Sequence, residues 1–515
     1  MTLGSVAAGH PLTADAAAEA LRAGGNAFDA AVAALCAACV AEPVLASLGG
    51  GGFLLARPAG GAPEVFDFFA QTPRQRRPAA ETDFRPIVAD FGDAAQEFHI
   101  GLGATATPGA VAGVFAIHAA LCRLPIADLF APARDMARQG LAMTAFQHGI
   151  NRIVEPILRA STQALALFAD PDHPDRLAPV GTRMRMPDLD YALGVLASDG
   201  PDVFYRGDWA HRLTRDCAER GGQLRLEDLA SYAVVRRPAL SRRYRGAVVH
   251  TNPPPSQGGS LIAFTLALLQ QVDPSAWGQG SAEHLDALAS AQELTQRLRR
   301  DGAFEHADWA AALEPETLDR FTALMREAAV FTRGTTQISV ADAEGNLASL
   351  TLSNGEGCGY VLPGTGIMLN NMLGEEDVNP QGFHRWPRDR RISSMMAPTL
   401  VALPEGCWVV TGSSGSNRIR SAILQVITNL VDFGLDVERA VAAPRLHFEG
   451  DLLNLEPPLA AETLAQLAGR WPSIKTWSQK SVFFGGAHTV LMDARGCASG
   501  AGDPRRGGVA IEVSA

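Results

Sequence analysis

Residues 334–353, GTTQISVADAEGNLASLTLS, alternate apolar and small polar side chains in two stretches joined by Ala343-Glu344-Gly345-Asn346. Period-two alternation on both sides of a glycine-bearing turn is a β-hairpin pattern, because successive strand side chains point to opposite faces. Thr336, Ile338 and Val340 share one parity in the first stretch, as do Leu347, Ser349 and Thr351 in the second. Further strands are predicted at Ile367–Leu369, Thr399–Leu403, Trp408–Thr411 and His488–Met492, with a long helix over Arg418–Phe433. The last third of the chain is therefore strand-rich, and its first strand begins abruptly at two threonines.

The earlier part reads differently. From Pro11 to Val44 alanines and leucines recur at helical spacing, with Thr13 or Asp15 as the expected cap. Gly24-Gly25-Asn26 marks a stop, and a second helix is expected from Ala27. Four glycines, Gly49 to Gly52, lead into an expected strand at Phe53–Ala56. No Lys-Ser/Thr follows them, so tight backbone packing is expected rather than a phosphate cradle. The middle third reads mainly as helices, for example Val111–Cys122 and Glu283–Arg300, interrupted by a strand-like YRGAVVHTN and a rigid triple proline before Gly258-Gly259.

At 515 residues, 47% hydrophobic and 19% charged, the chain is expected to fold into a large globular core, and length alone suggests two or three domains. A formal net charge of -11 disfavours a nucleic-acid binder, whose affinity rests on clustered Lys and Arg. The basic run Arg385–Arg391 is read as a solvated loop beside Glu375, Glu376 and Asp377, with anchoring of an anionic substrate as the alternative. Ala30–Val44 is too short, and too broken by Glu42 and Pro43, to span a bilayer, so no membrane partner is expected. The 7 cysteines are an odd number without paired spacing, and no secretory signal pattern opens the chain, so a cytoplasmic setting is expected. Cys36 and Cys39 are expected to pack inside a buried helix rather than form a redox pair.

No G-x-S-x-G elbow, H-E-x-x-H pair or clustered Cys/His spacing occurs, so no metal or other cofactor is expected. A remaining solution is a threonine whose own α-amino group serves as base, which requires a cut that makes it N-terminal. Gly334-Thr335 suits such a cut, although G-T-T alone is also an ordinary strand start.

The surrounding sequence carries more. GTTQISVADAEGNLASLT resembles the segment that opens the small subunit of gamma-glutamyltransferases. PGTGIMLNN, RISSMMAPTL, VTGSSGSNRIRSAILQVI and APRLH follow in that family's order. AAGHPLTADAAAEALRAGGNAFDAAVAA, LGGGGFLL and NPPPSQGG are similar to its earlier parts, so the likeness covers nearly the whole chain.

The resemblance implies an α+β fold, the four-layer αββα sandwich of N-terminal-nucleophile hydrolases. It also implies one precursor cut between Gly334 and Thr335 into 1–334 and 335–515, the two parts remaining one intertwined fold. Thr335 would attack first the Gly334 carbonyl and then a γ-glutamyl amide, with water or an amine accepting the acyl group. By the same resemblance Ser353 orients the nucleophile, the backbone N–H groups of Gly415 and Ser416 form the oxyanion hole, and Asn354, Ser393, Ser394 and Glu375 or Glu376 contact substrate.

Three departures bear on the substrate. The family's D-F-R segment is Asp67-Phe68-Phe69 here, and phenylalanine cannot replace a bidentate arginine on a carboxylate. Recognition of a free α-carboxylate must then rest on other groups, with Arg388, Arg390 or Arg391 as candidate substitutes, or be lost. Gln337 stands where histidine is common, and Met372-Leu373 where polar contacts are usual. These leave two alternatives open: an acylase for a different acyl group, and an uncleaved binding protein.

Overall fold

The computed structural model describes residues 2–90, 95–300, 334–379 and 382–515. The hairpin forms as expected: Thr336–Asp342 pairs antiparallel with Leu347–Ser353, from Thr336 opposite Leu352 to Ala341 opposite Leu347. It sits at the centre of a seven-stranded sheet. The order is Val235–Pro238, Glu64–Phe68, Gly51–Arg57, Leu347–Ser353, Thr336–Asp342, Thr2–Ala8 and Val509–Ser514, antiparallel throughout. A second, six-stranded sheet is ordered Leu240–Tyr244, Ala247–Thr251, Thr399–Ala402, Trp408–Thr411, Thr489–Met492 and Ala498–Ala501. Strands from before and after residue 334 interleave: Thr2–Ala8 lies between Thr336–Asp342 and Val509–Ser514, and Ala247–Thr251 pairs with Thr399–Ala402.

Strand alternation decides the layers. On one face of the seven-stranded sheet Leu54, Phe66, Ile338, Val340, Leu350 and Leu352 join a core built with the helices Pro11–Arg22 and Ala27–Ala41. The helices Gly258–Leu269 and Arg418–Val431 pack with the second sheet in another core. Between the sheets the nucleophile hairpin presents small polar groups. Ser339 donates to the His488 carbonyl at 2.8 Å and Ser349 to the Thr411 carbonyl at 2.7 Å. Buried polar groups are tolerated only when paired, and these pairings join the two sheets. This is the αββα sandwich that the resemblance implies.

Ala27–Ala41 is buried along its whole length, with Cys36 and Cys39 inside it, and burial pushes both thiols up. Among the described residues no helix is long and apolar enough to cross a membrane. The four glycines pack backbone on backbone. A Cβ on Gly50 would lie 2.3 Å from the Ser353 carbonyl oxygen, and one on Gly52 would lie 2.3 Å from that of Thr351. The first helix differs from expectation at its cap. His10 takes that place, its Nδ1 accepting from the Leu12 N–H at 3.2 Å, while the Thr13 hydroxyl donates to Glu42 at 3.0 Å.

Candidate active site

The chain is continuous across Gly334–Thr335, and Thr335 stands where the first central strand begins, 4% exposed. Its Oγ donates to the Gly334 carbonyl oxygen at 2.7 Å, and Ser353 Oγ donates to the same oxygen at 3.0 Å. The hairpin register explains the meeting, because Thr336 is opposite Leu352 and the two strand ends lie side by side. A carbonyl oxygen holding two hydroxyl donors is polarised, and one donor is the group that would attack it. Ser353 thus meets the nucleophile through a shared acceptor, and its own oxygen accepts the Gly355 N–H at 3.0 Å.

Behind the threonine lie charged groups that sequence reasoning missed. Thr336 Oγ donates to Glu42 at 2.9 Å, and Arg506 Nη1 reaches the Thr335 carbonyl oxygen at 3.5 Å. Burial draws the Arg506 guanidinium down to about 10, against the opposing pull of Glu356, Asp503 and Glu42. Burial likewise pushes the Glu42 carboxyl up, offset by the Thr336 and Thr13 hydroxyls and by Arg506. Glu356 accepts the Gly334 N–H at 2.5 Å. No motif marked Glu42 or Glu356, the first of which lies in a stretch read for helix packing.

Gly415 and Ser416 form the turn between the short strand Ser413–Ser414 and the helix Arg418–Val431, with φ of 109° and 55°. Ser416 lines the pocket at Thr335, and its positive φ is a left-handed conformation that glycine adopts without cost. The turn sits at the positive end of the helix dipole, a setting that favours developing negative charge.

A pocket opens at Thr335. Gly334, Thr335, Ser353 and Ser416 occupy its reactive end, while Phe69, Met372, Val378, Met395, Met396 and Ile419 supply apolar wall and Glu375 and Ser394 the polar exceptions. NPPPSQGG braces this wall: Ser256 Oγ donates to the Ser394 carbonyl at 2.8 Å, and the Gln257 and Gly258 N–H groups donate to it at 2.9 and 3.1 Å.

Some expected contacts are not brought here. Asn354 is buried but is not among the residues that line the pocket. Ser393, next to Ser394, is likewise outside the lining. Of the two glutamates, Glu375 is buried in the pocket, whereas Glu376 is exposed at the start of a short 3₁₀ turn. None of the three candidate substitute arginines is in the lining. Arg388 and Arg390 are exposed, and Arg391 is committed to Asp67 at 3.4 Å, the Phe69 carbonyl, Tyr232 and the Ala233 carbonyl. Gln337 is not at the pocket either; it is fully buried between the sheets, donating to Ser339 and Ser349 and accepting from Thr351 at 2.6 Å.

The family profile described as Gamma-glutamyltranspeptidase matches residues 13–513. The chain belongs to the gamma-glutamyltranspeptidase family. This gamma-glutamyltranspeptidase-family enzyme is 30% identical to the glutathione hydrolase proenzyme of Escherichia coli (strain K12), over 94% of this chain and 87% of that protein. It is 32% identical to the Acylase ACY 1 proenzyme of Pseudomonas sp. (strain SE83), over 99% and 94%. It shares its fold with the cephalosporin acylase from Bacillus halodurans, at a TM-score of 0.86 and 24% identity, covering 99% of this chain and 96% of that one.

Proposed function

We propose that the protein is a self-processing γ-glutamyl hydrolase or transferase whose nucleophile is Thr335. The observation that carries the reading is the Thr335 hydroxyl held 2.7 Å from the Gly334 carbonyl oxygen, which also takes Ser353. In the precursor Thr335 Oγ attacks that carbonyl, and the resulting ester hydrolyses to give chains 1–334 and 335–515. The freed α-amino group then acts as the base for attack on a substrate amide, with the oxyanion received by the Gly415 and Ser416 N–H groups. Glu375 supplies a carboxylate for the substrate ammonium, and Ser394 a hydroxyl for its carboxylate. A cytoplasmic setting belongs to the same reading and rests on the odd number of scattered cysteines.

Denaturing gels and intact mass of purified protein test self-processing. Two fragments meeting at Gly334/Thr335 are expected, with none in Thr335→Ala; a persistent full-length chain in wild type rules the reading out. Release of p-nitroaniline from a γ-glutamyl anilide by the cut protein tests the donor.

A second reading, an acylase for a less charged acyl group, is favoured by Phe69 in the pocket wall and by the engagement of Arg391 elsewhere. A panel of acyl anilides separates the two: faster turnover of neutral acyl groups than of γ-glutamyl selects the acylase.

A further inference from the structure

A buried carboxylate stands against the peptide unit that precedes the nucleophile. Glu356, three residues beyond Ser353, is 3% exposed, and its Oε1 accepts the Gly334 N–H at 2.5 Å. Its backbone is itself pinned, since its N–H donates to Asn371 Oδ1 at 3.0 Å. The carboxylate also fills the space a side chain would need: a Cβ on Gly334 would lie 2.9 Å from Oε2 and 3.2 Å from Oε1. Gly334 is therefore held at both ends, its N–H by Glu356 and its carbonyl by the hydroxyls of Thr335 and Ser353. A glycine backbone rotates freely, so a carbonyl that must meet a nucleophile within a few tenths of an ångström needs an anchor on the other side of its Cα. A bond to an ionised acceptor is a strong anchor.

We infer that Glu356 is a positioning residue for self-cleavage, holding the Gly334 N–H so that the Gly334 carbonyl is presented to Thr335, and restricting the residue before the nucleophile to glycine. The inference rests on the nucleophile reading above. In the step it serves, a bond forms between Thr335 Oγ and the Gly334 carbonyl carbon and the bond from that carbon to the Thr335 nitrogen breaks. The hydroxyl proton passes to the departing amine. Water then cleaves the ester, restoring the hydroxyl and leaving a carboxylate on Gly334. Glu356 gains and loses no atom in the sequence.

The test follows the cut in full-length wild type, Glu356→Gln, Glu356→Ala, Gly334→Ala and the Gly334→Ala/Glu356→Ala double variant, by gel and intact mass over time. Thermal unfolding is recorded alongside with each change placed in the uncut Thr335→Ala chain. The isosteric Glu356→Gln keeps an acceptor oxygen without the charge and is expected to cut about tenfold more slowly with an unchanged melting temperature; Glu356→Ala is expected to be slower by about a hundredfold. Gly334→Ala slows the cut, and loses much of its penalty when combined with Glu356→Ala, because groups in contact are not additive. A Glu356→Gln chain that cuts within about twofold of an active wild type overturns the inference, and decides the matter if Glu356→Ala fails to fold. Simple multiplication of the Gly334 and Glu356 effects also overturns it. A wild type that never cuts overturns the nucleophile reading together with this one.

Discussion

The two ends of the pocket are built on different principles. Around Thr335 the groups are held by directional bonds. Thr335 and Ser353 converge on one carbonyl oxygen, Gly355 bonds Ser353, and Arg506 reaches the Thr335 carbonyl. In the apolar wall Phe69, Met372, Val378, Met395, Met396 and Ile419 are held by packing, with Glu375 as the buried carboxylate of the lining. Directional bonds tolerate almost no displacement, whereas a packed wall accepts other apolar shapes at modest cost. The contrast teaches that the bond-breaking chemistry and the choice of acyl group can change independently. Phe69 in place of an arginine alters the wall and leaves the bonds at Thr335 untouched.

Three measurements press on that contrast. The largest effect is expected for Ser353→Ala, which removes one of two hydroxyl donors from the Gly334 carbonyl; both the cut and substrate turnover should slow by about a hundredfold, read by intact mass and anilide release. A change confined to substrate KM would break the contrast, because Ser353 would then belong with the wall. Glu375→Gln should raise KM about tenfold for donors carrying an α-ammonium, spare donors without one, and leave the rate of the cut unchanged. An equal loss for both donor types would show that Glu375 does not read charge. The smallest effect is on stability against pH. Burial holds His447 and His488 down to about 4, so from the ordinary histidine value near 6.5 down to 4 the unfolded chain binds more protons than the folded one. Their contribution is complete above that window and is lost as pH falls through it. The melting temperature should drop by a few degrees between pH 7 and pH 5, followed by circular dichroism. His488 lies behind the nucleophile strand, its carbonyl bonded to Ser339 and its Nδ1 to the Asp503 N–H, so acid should loosen the directional end before the packed one.

What was legible in the sequence follows the same division. The hairpin, its turn and the threonines at its start were readable because alternation and turn chemistry are local properties. Thr2–Ala8 and Val509–Ser514 escaped as strands. The first is made of Gly4, Ser5, Ala7 and Ala8 among few larger residues, so its inner and outer faces differ little in hydrophobicity. Cap assignment failed at Thr13 because a partner 29 positions away, Glu42, claims its hydroxyl. The family motifs brought Thr335, Ser353, Ser416, Glu375 and Ser394 to one pocket, while their immediate neighbours Asn354, Ser393 and Glu376 fell outside it. Resemblance alone does not say which of two adjacent residues lines a pocket. Glu42, Glu356 and Arg506 were invisible because they come together only through the fold, far apart in the chain.

The threading of Thr2–Ala8 between two strands from beyond residue 334 has a consequence for the life of the protein. Such a sheet assembles while both halves are tethered, when closing the long loop between them costs only a slowly growing entropy. After a cut at Gly334/Thr335 the halves can part only by tearing Thr2–Ala8 from both its neighbours. Once parted, they must find each other from bulk solution against competing aggregation. Peptide continuity would then serve as a mould used once, and heat would inactivate the finished protein in one direction only.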